Sequence, residues 1–148
     1  MIDFNKKTNF DHLTHDQLQL EAEKCQSCPL HEHRTQVVFH SGNHQANLMF
    51  VGEGPGQQED EEGLPFVGRS GQLLTKILES VEIHRDDIYI ANTVKCRPPK
   101  NRTPHAEEMA ACEDYLIRQI QLVQPKIICL LGSAAVKAIL GPTESISK

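Results

Sequence analysis

Three short apolar runs punctuate the chain: Leu48-Met49-Phe50-Val51, Ile88-Tyr89-Ile90 with Val94 beyond, and Ile127-Ile128-Cys129-Leu130. None alternates apolar with polar positions, which is the pattern of strands covered on both faces. Strands are therefore predicted over 48–51, 87–94 and 126–131. Helical spacing fills the intervals. Leu73, Leu74, Ile77, Leu78 and Val81 predict a helix over 70–81. Thr103-Pro104 reads as an N-cap followed by proline in the first helical position, opening a helix to about residue 123. Ser133 caps a last helix through Val136, Ile139 and Leu140. Near the start, Thr14 and Gln17 have capping-box spacing ahead of Leu18, Leu20 and Ala22, so a short helix runs toward Cys25. Val37-Val38-Phe39 is a further strand candidate, and Ser41-Gly42-Asn43-His44 reads as a turn.

Strands alternating with helices predict an α/β fold with a parallel sheet and right-handed crossovers. Functional loops then follow the carboxyl ends of the strands. The 148 residues suit one domain with one substantial core. The polar residues 1–13 are expected to form a loosely held arm. Three strands make a thin sheet, so the domain over 1–148 is expected to be partial and cut short at its C-terminal side.

Composition narrows the function classes. The chain is 39% hydrophobic and 24% charged, carries a net charge of -5 and has a pI of about 5.9. No apolar stretch reaches the ~18 residues of a membrane span, and the N-terminus lacks the apolar core of a secretory signal. A cytoplasmic protein with no membrane partner is expected. The acidic total argues against wholesale coating of nucleic acid, but Lys95, Arg97, Lys100 and Arg102 form a local basic stripe.

In a reducing compartment, clustered cysteines point to metal or catalysis rather than disulfides. Cys25 and Cys28 form a C-x2-C pair, residues 97–111 separate Cys96 from Cys112, and Cys129 lies within a predicted strand as a small buried hydrophobe. Four cysteines in this pattern fit tetrahedral zinc or an iron–sulfur cluster equally. With residues 29–95 between the two pairs, either metal would tie the N-terminal part of the chain to the rim of the sheet. A full set of four thiolates leaves no open position, which favours a structural role.

The loop Gly52-Glu53-Gly54-Pro55-Gly56 fails the phosphate-loop template, because no Lys-Ser/Thr follows and Glu59 to Glu62 are all acidic. It also departs from G-x-G-x-x-G at Gln57. A pocket for a neutral, planar, polar ligand suits it better. Glycine allows close backbone approach, Phe66 offers a stacking face, and Asn92 presents an amide donor and acceptor together, matching a nucleobase edge. A tight turn, core packing and a strand-end cap are the plainer alternatives for these same residues.

Taken together, C-x2-C at 25–28, GEGPG-x2-ED at 52–60, PFVG-x-SG at 65–71, N-x3-CRPP-x-NR at 92–102 and Cys112 resemble the family-4 uracil-DNA glycosylases. The resemblance spans roughly residues 20–147. It implies a three-layer α/β/α sandwich around a central parallel sheet, and a structural [4Fe–4S] cluster on Cys25, Cys28, Cys96 and Cys112. It implies a monomer that hydrolyses the N-glycosidic bond of uracil flipped out of uracil-containing DNA. Gly54 and Phe66 are then expected against the base and Asn92 on its O4/N3 edge. Glu53 and Glu59, with Asn101 on the facing loop, are the candidate catalytic residues at the sugar end. The family's second motif, a His-Pro-Ser-type segment, has no match in this sequence. The expectation is therefore either a fragment of an active enzyme or a catalytically impaired iron–sulfur DNA-binding module.

Overall fold

The computed structural model describes residues 1–147. Among them, four strands form one sheet: β1 (Ser41–Gly42), β2 (Leu48–Gly52), β3 (Tyr89–Asn92) and β4 (Ile127–Leu130). Their order is β1-β3-β2-β4, with β2 parallel to both β3 and β4 and β1 antiparallel to β3. Five helices accompany the sheet: α1 (His15–Glu23), α2 (Gln57–Glu62), α3 (Arg69–Ser80), α4 (Ala106–Val123) and α5 (Ser133–Leu140).

Alternate side chains of the apolar strands feed two cores. Met49, Val51, Tyr89 and Ala91 pack against Leu116, Ile117 and Ile120 of α4 and Ala135 and Ile139 of α5. Phe50, Ile88 and Ile90 pack against Leu74 and Leu78 of α3 on the other face. Helices thus cover both faces of the sheet, giving the expected three layers. A third cluster joins Leu18 and Ala22 of α1 to Leu30, Phe39, Val94, Cys96 and Tyr115. Among the described residues no helix is long and apolar enough to cross a membrane.

Several expectations change. The predicted turn at Ser41-Gly42 is the edge strand β1, paired through Ser41↔Ile90 and Gly42↔Tyr89. Residues 37–39 form no strand, although Val38 N donates to Lys95 O at 2.8 Å and all three are buried. Helix α4 begins after His105 rather than Thr103; Glu108 accepts from His105 N at 2.8 Å, closing the first turn. On α3 only Leu74 and Leu78 meet the sheet, leaving Leu73, Ile77 and Val81 exposed. Cys129 sits on the edge strand β4 and is half-buried.

Residues 1–13 do not behave as a loose arm. Ile2 is buried and its N–H donates to Ile139 O at 2.7 Å. Gln121 Nε2 donates to Phe4 O and Lys6 O, Arg118 donates to Leu13 O, and Phe10 stacks on Tyr115 at 4.5 Å. Scattered apolar residues and free carbonyls, invisible as a pattern, fasten this stretch along α4.

Candidate active site

Strands β2 and β3 run parallel with Gly52 opposite Asn92, so both chains leave the sheet at one rim. Thr93 locks the two exits together: its N–H and its hydroxyl both donate to Gly52 O, at 2.8 and 2.9 Å. Val94 N adds a bond to Glu53 O at 3.1 Å. The loop after β2 and the loop after β3 thereby become two walls of one cavity, of about 610 Å³ including its open mouth. Glu53, Gly54, Glu59, Phe66, Asn92 and Asn101 all line it. Residues separated by nearly fifty positions are thus brought together at the rim where an open α/β sheet binds ligands.

Asn92 is buried, and its Oδ1 has no hydrogen-bond partner among the described residues. A buried carbonyl without a donor costs about 1–3 kcal/mol, so this oxygen is an acceptor left open at the cavity wall. Gly52 gives the amide and the Phe66 ring their room. A Cβ there would lie 2.5 Å from Phe66 Cζ and 2.6 Å from Asn92 Oδ1.

Phe66 itself has φ 55°, a left-handed conformation rare for an aromatic residue. Two residues that sequence reasoning did not assign hold it there. Arg85 donates through Nη1 to Phe66 O and through Nη2 to Pro65 O, and Nη1 also reaches Thr75 Oγ1 at 3.1 Å. Gly71 lets the start of α3 close onto the same peptide, since a Cβ there would fall 1.8 Å from Phe66 O. Nothing local marks Arg85, which lies 19 residues from Phe66; only the closing glycine of PFVG-x-SG hinted at tight packing.

The acidic stretch divides by use. Glu59, expected as a catalytic carboxylate, gives both oxygens to backbone donors: Oε1 accepts from Gly56 N at 3.0 Å, and Oε2 from Val67 N and Gly68 N at 3.0 and 2.6 Å. That arrangement fastens the glycine loop to the Phe66 loop, so both carboxylate oxygens of Glu59 are engaged by backbone N–H groups rather than left open to the cavity. Asp60 is buried and accepts from Thr35 N at 2.9 Å. Glu53 is half-buried at the cavity wall, and its carboxylate makes no hydrogen bond within the described protein. Asn101, on the facing loop at φ 56°, accepts from Arg97 Nε at 2.8 Å.

The basic stripe is likewise redistributed. Lys95 is buried, not at the surface; its ammonium donates to Asn92 O at 2.7 Å and to Gln119 Oε1 at 2.5 Å. Burial pulls its pKa down to about 8, against the opposing pull of the Cys112 and Cys96 sulfurs. Arg102 forms a bidentate pair with the buried carboxylate of Glu108, at 2.7 and 2.9 Å. Arg97, Lys100 and Arg69 remain available at the surface.

Four cysteines face a second cavity. Cys25, Cys28, Cys96 and Cys112 all line one space of about 370 Å³, with Arg34, Lys95 and Tyr115 around them. Arg34 Nη1 donates to Cys96 Sγ at 3.2 Å and to Cys25 O at 2.8 Å. Burial pushes the Cys112 thiol up to about 12 despite the nearby Lys95 charge, and pushes Cys28 and Cys96 up as well. Burial also raises Cys25, but hydrogen bonds from Ser27 and Tyr115 and the Arg34 charge outweigh it, leaving that thiol below its usual range. Buried thiols of this kind ionise against a bound cation, and the donors already in place suit four thiolates.

Comparison with known proteins bears on both cavities. The family model described as the uracil DNA glycosylase superfamily matches residues 39–146. The chain belongs to the uracil DNA glycosylase superfamily. The matched region contains every residue of the glycine-loop cavity, with Cys25 and Cys28 lying ahead of it. The chain is 51% identical over 128 residues to a type-4 uracil-DNA glycosylase of Thermotoga maritima, covering 86% of this chain and 67% of that protein. To the type-4 enzyme of Archaeoglobus fulgidus it is 46% identical over 124 residues, covering 84% and 62%. A type-5 uracil-DNA glycosylase of Pyrobaculum aerophilum is 35% identical over 114 residues, covering 67% of this chain and 50% of that protein. The chain thus spans roughly half to two thirds of the length of the curated relatives it matches.

Proposed function

We propose that this protein excises uracil from DNA, hydrolysing the bond between uracil N1 and deoxyribose C1′ and leaving an abasic site. The observation that carries the reading is the buried, unpartnered Oδ1 of Asn92 in a cavity shared with Phe66 and Glu53. A side-chain amide accepts from uracil N3–H and donates to O4. Cytosine presents an amino group at C4 and a bare N3, so both polar contacts fail; that mismatch discriminates strongly. The reacting carbon is shielded within a duplex, so the nucleotide is rotated out of the stack to enter. Phe66 supplies the stacking face and Gly54 the close backbone wall.

Bond cleavage leaves a sugar with oxocarbenium character and a uracil anion. Glu53 is the carboxylate left free to stabilise that cation or orient the attacking water. Glu59 acts as a positioning residue, since its oxygens hold the glycine loop against the loop of Phe66. Asn101, held by Arg97, belongs to the loop facing the sugar side. Arg69, Arg97 and Lys100 meet phosphates. The DNA partner, a monomeric state and a cytoplasmic setting belong to this same reading.

The test is a duplex with a single dU, incubated with the protein and then treated with alkali. Cleavage at the dU position, and not at a dC in the same place, is the expected result. Retained binding to dU-DNA with no cleavage contradicts the assignment.

We further propose that Cys25, Cys28, Cys96 and Cys112 hold a [4Fe–4S] cluster. The cluster's role is to cross-link the segment after α1 to the chain leaving β3, with no part in bond cleavage. Freshly purified protein is expected to be brown, with iron and acid-labile sulfide in equal amounts near four per chain. Colourless protein holding stoichiometric zinc overturns the cluster.

A further inference from the structure

Away from both cavities, three histidines converge at the β1 edge of the sheet. His15 opens α1, His40 precedes β1, and His44 lies in the turn after it. One ring nitrogen of each lies within 4.8 Å of one ring nitrogen of the other two. His40 Nε2 and His44 Nε2 are 3.0 Å apart, and the His15 and His44 rings are 3.7 Å apart between centroids. Uracil binding and the cysteine cavity use none of these residues.

The hydrogen bonding leaves ligand atoms to spare. His15 Nε2 pairs with Tyr89 OH at 2.7 Å, and Gln119 Nε2 donates to the same hydroxyl at 2.8 Å. That fixes the His15 ring from behind and leaves its Nδ1 buried without a partner. His40 Nδ1 is also buried and unpartnered, while the His40 ring stacks on Tyr89 at 5.1 Å. The His15 Nδ1 is the orphan that faces ligation, since buried polar atoms are nearly always satisfied by protein, water or an ion. A ring oriented through one nitrogen by a hydroxyl, with the other nitrogen free, is how metal-binding histidines are held.

We infer that His15, His40 and His44 form a binding site for a divalent transition cation of the zinc class. Imidazole nitrogens suit zinc, copper or nickel and are poor ligands for magnesium or calcium. With Zn–N bonds of 2.0–2.1 Å, tetrahedral ligands sit about 3.4 Å apart. The Nε2 atoms of His40 and His44, hydrogen-bonded at 3.0 Å, are already near that spacing, and His15, whose free nitrogen is Nδ1, must close in from within 4.8 Å. Burial holds His15 and His40 well below the ordinary imidazole range, at about 4 and about 3, with neighbouring histidines adding to the effect. Both rings are therefore neutral at pH 7, the form that ligates. His44 is exposed, which gives the cation a way in and leaves a fourth position to water. The ion would pin the first turn of α1 to the strand edge, and α1 leads directly to Cys25.

The probe is Zn²⁺ alone, titrated into the intact protein after brief chelation that leaves the iron content unchanged. Wild-type protein is expected to take up one equivalent at micromolar concentration or below, with the ring signals of His15 and His40 shifting in step and the melting temperature rising. Because His44 is exposed, His44→Ala keeps the fold; it should weaken this binding at least tenfold and remove the melting-temperature gain. His12→Ala, an exposed histidine outside the cluster, should change neither. Equal zinc uptake by wild type and His44→Ala overturns the site, as does wild-type uptake that leaves the His15 and His40 signals unmoved.

Discussion

Asn92→Asp is expected to lower uracil excision roughly 100-fold and to narrow the preference for uracil over cytosine by a similar factor. The substitution keeps the acceptor that meets uracil N3–H and removes the amide donor that meets O4. It also sets a carboxylate against that carbonyl oxygen. Cytosine presents N4–H donors there, so the change harms uracil and favours its competitor at once. The position is sensitive because Asn92 is buried at the cavity wall, where its amide oxygen has no donor among the described residues. Initial rates on paired oligonucleotides containing one dU or one dC at the same place read both effects. An unchanged ratio would remove Asn92 from base recognition.

Gly71→Ala offers the second large effect, this time on folding. At the third position of α3, alanine should stabilise a helix by about 1 kcal/mol relative to glycine. Here the new Cβ would fall 1.8 Å from Phe66 O and 1.9 Å from Phe66 C, both backbone atoms. Neither can swing aside like a side-chain tip, because Arg85 clamps that peptide. The clash should outweigh propensity, for a net loss of about 3 kcal/mol. That corresponds to a fall of about 6–12 °C in Tm. Thermal unfolding decides the sign, since a rise in Tm would mean that the Phe66 turn is not packed as described.

The parallel strands and the existence of α3, α4 and α5 were legible because continuous apolar runs, helical spacing and N-cap residues mark them. The buried side of α3 was not, since Leu73, Ile77 and Val81 share the helical spacing and are exposed. The six pocket residues were legible for a different reason: motif resemblance carries information about tertiary proximity that no local pattern holds. Properties depending on partners distant in sequence were not legible. Lys95 reads as one of four surface cations, yet Gln119 and the Asn92 carbonyl take its ammonium inside the fold. Glu59 reads as chemistry until three backbone amides converge on it. Ser41-Gly42 reads as a turn because two residues are too short a run to signal a strand. Such a strand exists only because β3 offers an open edge.

The stretch after β2 looked contradictory for a glycine loop so rich in acids. Glu59 and Asp60 are spent on backbone N–H groups of neighbouring segments, leaving Glu53 as the carboxylate open to the cavity. The segment from Asn92 to Cys96 then joins the two cavities. Asn92 faces the first, Cys96 the second, and Lys95 between them ties its ammonium back to the Asn92 carbonyl.

Chromatographic detection of the product released from DNA containing a single dU tests the central claim most directly. Free uracil appearing in step with alkali-labile sites, while the untreated strand stays intact, is the predicted result. Release of a nucleotide or nucleoside, or no release from protein that binds the same DNA, would contradict it.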